Sequence, residues 1–520
     1  MQRYTRFLLF STVFTTGAAV LIMEVAAVRM LAPYFGSSLY VLSSVLTVVL
    51  FALALGYYAG GRLSDRFPYH IPLYAIITLG GFTLLTLTVI SLYVLPQSAA
   101  SVPLLFGPLF YSILFFFLPA FLLGIDSPYV IKLLSRDARP NESGEVVGAT
   151  FFWSTAGSIS GSLASGFFLI PAFGLTTTMV ATGIVLITLG IGGGLLVRRF
   201  LRQSPNYDKR NNKSLTNAIC TVLVGLTILA YFFAQHKAEA GLVYFDDGFY
   251  SQLQIFDRDY NGHPTRFLKQ DINNSSAIYL DSEEIVFPYA QYAMLYAPLI
   301  GHPDNFLMLA SGAYTIPRAI HLAEPETAID VVDIEPGLYD LAVEYFRLPT
   351  TTKITDHVID ARAFLNRNDT KYDYIFVDVF NSGHFVPPHL VTKEFFTELN
   401  NHLTQDGIVI MNFIGSQRGN RSRTLPGSFT KTVASVFSNY AIYTTRTTQI
   451  DSPQNLMYIM RKSNKSLTIP EETTITTHEG PTLLSVLKVD PATLIGEEDM
   501  IFTDDHAPVE TLLLKERFMY

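Results

Sequence analysis

A single cysteine, Cys220, stands in 520 residues, and only 15% of the chain is charged. One cysteine excludes an intrachain disulfide and any zinc or iron–sulfur centre built on thiolates. Cys220 lies in an apolar run, where it reads as a small buried hydrophobe and not as a nucleophile. Soluble chains carry about 25% charged residues. The shortage here, with 49% hydrophobic residues and a mean hydropathy of +0.30, takes a good part of the chain out of water. The charge that is present is unevenly shared. Up to Lys237 there are 15 Lys and Arg against 7 Asp and Glu, a net +8; the remainder has 21 against 37, a net −16. A basic, apolar first part and an acidic, mixed second part exclude both a simple soluble enzyme and a pure transporter. The acidic balance argues against nucleic acid as a partner, because phosphate binding needs Lys and Arg.

A bilayer-spanning helix needs roughly 20 apolar residues. Seven runs qualify: Phe7–Ala32, Tyr40–Gly61, Ile71–Leu95, Pro103–Leu134, Val146–Phe173, Thr176–Val197 and Leu215–Ala234. The first could pass for a signal peptide, but the spans that follow it directly mark it as an uncleaved helix. Basic residues fall before the first run and in every even-numbered connection, while Tyr34–Leu39, Pro96–Val102 and Ala172–Leu175 have none. That pattern predicts a multi-pass protein of the cell (inner) membrane with a cytoplasmic N-terminus, and seven spans put the acidic part outside. Small residues recur every four positions at Ala52, Gly56, Gly60 and at Gly157, Gly161, Ser165, which reads as close helix packing. Glu24, Arg29 and Asp126 are charges in or near spans, where burial is costly and raises a functional question. The segment Gly61–Arg66 is expected to form an ordered, helix-capping loop.

From about Gly241 the periodicity changes. Alternating segments Gln252–Asp257, Thr265–Leu268 and Ala277–Leu280 are separated by Asp-Tyr-Asn-Gly and Asn-Asn-Ser-Ser, which predicts a small antiparallel sheet. Strands then alternate with helices: Phe306–Leu309, Ile329–Ile334, His357–Ile359, Tyr374–Phe380, Ile408–Phe413, Ala441–Thr445 and Leu456–Met460 are the strands. This alternation implies a parallel, doubly wound sheet with ligands at the strands' carboxyl ends. The expected domains are 1–237, helical and membrane-embedded; 238–290, a small β subdomain; 291–465, a Rossmann-like α/β domain; and 466–520, a C-terminal extension. Asp333, Asp360 and Asp378 sit at or just beyond successive strand ends. An acid ending the second strand can accept both ribose hydroxyls, Asp360 can accept from an adenine amino group, and Asp378 can take a proton from a nucleophile. Helix capping and loop solvation remain the alternative for each acid taken alone.

With these pieces in place, the chain resembles the spermidine synthases, aminopropyltransferases of polyamine biosynthesis, in the bacterial membrane-bound form that places a multi-span region before a methyltransferase-type domain. The resemblance rests on Glu24–Pro33, the Gly60–Arg66 segment, Phe306–Gly312, Val332–Pro336, Asp360–Arg362, Tyr372–Asp378, His389–Glu394 and Thr503–Pro508. It implies Asp378 as the catalytic acid–base residue, with Gln291, Gly312, Asp333, Asp360, Asn381 and Tyr250 binding substrates. It implies no metal and no bound cofactor, decarboxylated S-adenosylmethionine as co-substrate, and a diamine such as putrescine as acceptor, with methylthioadenosine released. Cationic amines, the lipid bilayer and a second copy of the chain are the implied partners, and closure of Asn381–Val391 would exclude water. Four positions depart from the family's pattern. Ala313 stands where an aspartate grips the donor ammonium, Asn381 where an acceptor-side acid is usual, and Ala290 where a tyrosine is usual. Ser251 stands in place of a glutamine. A non-catalytic polyamine or nucleoside sensor, or a transport accessory, is the alternative from another class. A methyltransferase is a third, since the same sheet serves S-adenosylmethionine.

Overall fold

The computed structural model describes the chain outside positions 1, 37, 100, 101, 104, 138–142, 202–224, 226–240, 380–385, 418–422, 449, 478, 479, 519 and 520. It falls into two compact units, Met1–Glu239 and Ala240–Tyr520.

Among the described residues the first unit has six helices long and apolar enough to cross a membrane: Tyr4–Phe35, Leu39–Arg66, His70–Ser98, Gly107–Arg136, Ser143–Phe173 and Leu175–Arg199. Their length and composition suit a membrane-spanning region. The seventh expected run, Leu215–Ala234, lies outside the described residues apart from Gly225. Small residues are where backbones meet. A Cβ on Gly157 would lie 2.0 Å from the Phe14 carbonyl oxygen, and one on Gly161 2.4 Å from that of Ala18, so the first and fifth spans touch main chain to main chain. Gly56 and Gly60 do the same for the second and fourth spans, against Phe121 and Ile125. Gly61–Arg66 is not a loop but the last turns of the second span, where Asp65 takes a 2.5 Å ion pair from Lys132.

The second unit opens with a meander of β1 (Leu242–Asp247), β2 (Gln252–Tyr260), β3 (His263–Gln270) and β4 (Asn273–Tyr279), paired antiparallel in that order. Asn261 and Gly262 both have positive φ, at 55° and 82°, as a two-residue hairpin turn requires. The next turn falls on Asp271 (φ 55°), so Asn273–Ser276, expected as the turn, belongs to β4. The main sheet contains β5 (Asn305–Leu309), β6 (Ala328–Asp333), β7 (Ile354–Val358), β8 (Tyr372–Val377), β9 (Leu403–Gly415), β10 (Asn439–Thr444) and β11 (Gln454–Arg461). After these come a hairpin, β12 (Thr474–Thr477) and β13 (Gly480–Leu483), and the short β14 (Lys488–Val489).

The sheet order is β14-β10-β11-β9-β8-β5-β6-β7. β5 to β9 pair in parallel, but β11 runs antiparallel between β9 and β10. The sheet is therefore mixed, of the Rossmann-like methyltransferase type, where a wholly parallel one was expected. Buried apolar runs such as Phe306–Leu309 and Tyr374–Val377 fit strands covered on both faces. The C-terminal segment is not an appendage, because β14 pairs with β10 and extends the sheet. Strand order reverses between β5 and β8, which opens a crevice at their carboxyl ends, where such folds bind ligands.

Candidate functional site at the strand ends

Between β5 and the helix Thr315–Ala323 the chain turns through Ala310, Ser311, Gly312, Ala313 and Tyr314. Ala310, Gly312 and Tyr314 all have positive φ, at 62°, 54° and 58°. Only Gly312 needs to be glycine for space, since a Cβ there would lie 2.3 Å from Ser276 Oγ. That same hydroxyl accepts the Ala313 N–H at 2.9 Å. Thus β4 presses directly on the loop.

Asp333, ending β6, folds back onto it. One carboxylate oxygen accepts the Ser311 N–H at 2.9 Å and the other the Glu335 N–H at 3.0 Å. Burial pushes the Asp333 pKa up, while backbone donors, Glu335 and Ser311 first, oppose the rise. Glu335, also buried, accepts the N–H groups of Phe249, Tyr250 and Ser251 at 2.6, 2.8 and 2.7 Å, and the Ser251 hydroxyl at 3.0 Å. It fixes the segment after β1 beside the loop and leaves the Tyr250 ring exposed, 5.0 Å from that of Phe249.

Asp378 follows β8, with its N–H bonded to the Leu309 carbonyl of β5 at 3.0 Å. Its carboxylate accepts from Asn412 Nδ2 at 2.8 Å; the Tyr289 hydroxyl, which donates to the Ser275 carbonyl at 3.2 Å, lies close by. Asn455 Nδ2 in turn donates to Asn412 Oδ1 at 3.0 Å, which sets the Asn412 amide with its NH2 toward Asp378. Burial, joined by the nearby Asp333 charge, pushes Asp378 up to about 6, against the hydrogen bonds that favour its ionised form.

Asp360 caps the helix Ala361–Leu365, accepting the Arg362 and Ala363 N–H groups at 3.0 and 2.9 Å. Its other oxygen meets His389 Nε2 at 3.1 Å, and this partner, with the capping amides, holds the carboxyl below its ordinary value. Arg362 makes a two-pronged contact with Asp504, 2.6 Å on each prong, and donates to the His389 carbonyl at 3.1 Å.

The structure brings Gly312, Asp333, Asp360 and Asp378 to one edge of the sheet, with Tyr250 fixed beside them through Glu335. Gln291 is placed differently. It accepts the Thr476 N–H at 2.9 Å and donates to the Thr476 carbonyl at 3.3 Å, tying the helix Pro288–Gln291 to β12. It lines a cavity of about 570 Å3 with Tyr260, Tyr279 and Glu284, and makes no hydrogen bond to the strand-end acids. The neighbouring Tyr289, one position before the alanine where a tyrosine was expected, donates to the Ser275 carbonyl at 3.2 Å and lies close to Asp378. Asn381 lies outside the described residues, as does the first part of the expected closing loop through residue 385. Among the described residues no three His, Cys, Asp or Glu side chains converge as a metal ion would require.

Sequence reasoning missed Tyr289, Glu335 and Asn412. Asn412 left one signal, a lone amide inside the apolar run Ile408–Phe413. Chemically, the crevice offers a carboxylate poised to accept a proton and two further acids. It suits a cation with a nucleoside attached.

Parts of the chain are similar to known proteins. Residues 316–470 match the spermine/spermidine synthase domain. A polyamine aminopropyltransferase of Vibrio vulnificus is 30% identical over 139 residues, covering 26% of this chain and 46% of that protein. Polyamine aminopropyltransferase 1 of Streptomyces coelicolor is 26% identical over 426 residues, 79% of this chain and 76% of the relative. A probable spermidine synthase from Corynebacterium glutamicum has a TM-score of 0.40 at 19% identity, over 51% of this chain and 98% of that one. The chain thus spans less than half the length of the first relative and about three quarters of the second. The similarity to the spermine/spermidine synthase domain thus falls within the C-terminal unit.

Proposed function

We propose that this protein is a membrane-anchored aminopropyltransferase that moves an aminopropyl group from decarboxylated S-adenosylmethionine to a diamine such as putrescine. The observation that carries the reading is Asp378, held by Asn412 at the reversal of strand order with its pKa near the working range of a general base. The amine lone pair attacks the carbon next to sulfur. A C–N bond forms, the C–S bond breaks, and its electron pair neutralises the sulfonium as methylthioadenosine leaves. Asp378 takes the proton lost by the amine. An alkylammonium has a pKa near 10, so holding the attacking amine neutral is part of the barrier that Asp378 lowers. Asp333 is assigned to the ribose hydroxyls, Asp360 to the adenine amino group, and Tyr250 to the crevice mouth. Both substrates are cations, and three carboxylates at one edge favour holding them in line.

The domain's net negative charge supports amine partners over nucleic acid, and a homodimer completes the proposal. The cell membrane is the proposed location, with the N-terminus cytoplasmic and the C-terminal unit outside. Full-length protein in detergent, given the sulfonium donor and a panel of diamines, should release methylthioadenosine, and Asp378→Asn should release far less. No product with any diamine overturns the enzyme reading. One observation favours a binding-only protein: Ala313 is buried with its N–H bonded to Ser276, so the loop offers no side-chain acid to a donor ammonium. Calorimetric binding of methylthioadenosine or spermidine without turnover would select that reading.

A further inference from the structure

We propose that Asp126 is a proton-exchanging site inside the helical unit, a role independent of the reaction assigned to the C-terminal unit. Asp126 opens the helix Asp126–Asp137, one residue after the helix Leu118–Gly124 ends. Its side chain is fully buried. The backbone contact of Gly56 and Gly60 with Phe121 and Ile125 seals the neighbouring side. One carboxylate oxygen is bonded to the Thr16 hydroxyl of the first span; the other has no hydrogen-bond partner among the described residues. No Lys, Arg or His is bonded to it among those residues. Lys132 and Arg136, on the same helix, are engaged by Asp65 and by the Pro68 carbonyl. Tyr74 of the third span is the titratable group whose charge interacts with Asp126, and its hydroxyl lies 3.4 Å from Thr12 Oγ1.

The geometry fits two states that differ by one proton. Thr16 Oγ1 lies 3.1 Å from the Thr12 carbonyl oxygen and 3.3 Å from that of Val13, yet a hydroxyl has one hydrogen to give. With Asp126 ionised, Thr16 turns that hydrogen to the carboxylate and leaves the carbonyls. With Asp126 protonated, the acid donates to Thr16 Oγ1, and Thr16 donates back to Thr12. Each state has a complete hydrogen-bond arrangement on the shared oxygen, and a single hydroxyl rotation connects them. A purely structural buried acid is expected with both oxygens satisfied or with a positive partner, and Asp126 has neither.

Carbodiimides react with carboxyl groups that are protonated in apolar surroundings, so dicyclohexylcarbodiimide is the probe. The full chain in detergent is treated across a pH series and the adduct located by peptide mass spectrometry. The expected result is an adduct on Asp126 whose yield falls as pH rises and that is absent in Asp126→Asn. Thr16→Val, which removes the donor to the ionised form, should move the fade to higher pH; Thr16→Ser should restore the original profile. A recovered but unmodified Asp126 peptide at every pH, or pH-independent labelling, overturns the proposal. Loss of labelling on adding sodium at constant pH also overturns it, because the free oxygen would then hold an alkali cation.

Discussion

Removing the Asn412 amide should move the pH dependence of turnover in a direction that only Asp378 chemistry explains. In the native protein Asp378 must be ionised to accept a proton, and its carboxyl titrates at about 6. The rate is therefore expected to rise with pH through that value and then level off. Asn412 donates a 2.8 Å hydrogen bond to the ionised form and lowers this pKa. A hydrogen bond to a charged group contributes about 1.5–3 kcal/mol, and one pKa unit corresponds to about 1.4 kcal/mol. Asn412→Leu, close in volume and unable to donate, should therefore raise the acidic limb by roughly one to two units. Asn455→Ala, which only frees the orientation of Asn412, should move the limb less. The assay is methylthioadenosine release by full-length protein across the pH range, with donor and diamine saturating. A limb that stays at about 6 in Asn412→Leu, or moves toward acid, would refute Asp378 as the titrating base. Linkage supplies a readout without turnover. A carboxyl raised in the folded state favours folding at acid pH and loses that contribution as pH rises through about 6. Asp378→Asn should flatten the acid side of the stability profile accordingly.

Gly312→Ala should destabilise the second unit by ~1–3 kcal/mol, through positive φ and the 2.3 Å approach to Ser276 Oγ, and weaken nucleoside binding; melting curves and calorimetry check both. Asp499→Ala should be more damaging than Asp504→Ala. Asp499 is buried and accepts the Thr424 N–H at 2.7 Å and the Gly496 N–H at 2.6 Å, and unpaired buried donors cost about 1–3 kcal/mol each. Asp504 is half-exposed, so losing its Arg362 pair should cost only about 1 kcal/mol at neutral pH. Arg362 lowers the Asp504 pKa, so that smaller effect should vanish as pH falls through the depressed value, which thermal melts across pH would show. A reporter fused after Tyr520 should give alkaline phosphatase activity and no cytoplasmic fluorescence, if the run Leu215–Ala234 crosses the membrane; the reverse would place the second unit inside.

The parts legible in the sequence were those that obey a period or end an element. Apolar runs gave the six described spans to within a few residues, because bilayer thickness demands their length. Strand-and-helix alternation gave β5 to β9, and the acids ending strands gave Asp333 and Asp378. What stayed hidden depends on contacts between distant segments. The antiparallel insertion of β11 is a pairing choice, invisible in an apolar strand that suits either direction. Leu242–Asp247 was missed because its exposed edge carries no alternation. Gln291 was misplaced because alignment within a four-residue helix fixes composition but not which side chain faces the sheet. The 100° step between Tyr289 and Ala290 sends them to different surroundings.

The C-terminal segment shows how far the site depends on residues remote in sequence. Asp504, in the closing Thr503–Pro508 segment, grips Arg362 on the helix that Asp360 caps, and it also accepts the Thr392 hydroxyl at 2.7 Å. Its own N–H donates to Glu394 at 3.1 Å. Arg362 and Thr392 flank the stretch from β8 through Asp378, so one carboxylate ties both ends of the chain that carries the proposed base. Asn455 comes from the far side as well, on β11, and orients the amide that holds Asp378. The acids at the strand ends would mark a nucleotide-type fold of many functions. What would set the strength of Asp378 as the proposed base is the shell around it: Asn412 from β9, Asn455 behind Asn412, and the nearby Tyr289 from the helix before β5. That shell draws on residues from Tyr289 to Asn455, and a mutation at any of them would act on the proposed chemistry through position and pKa without removing a reacting group.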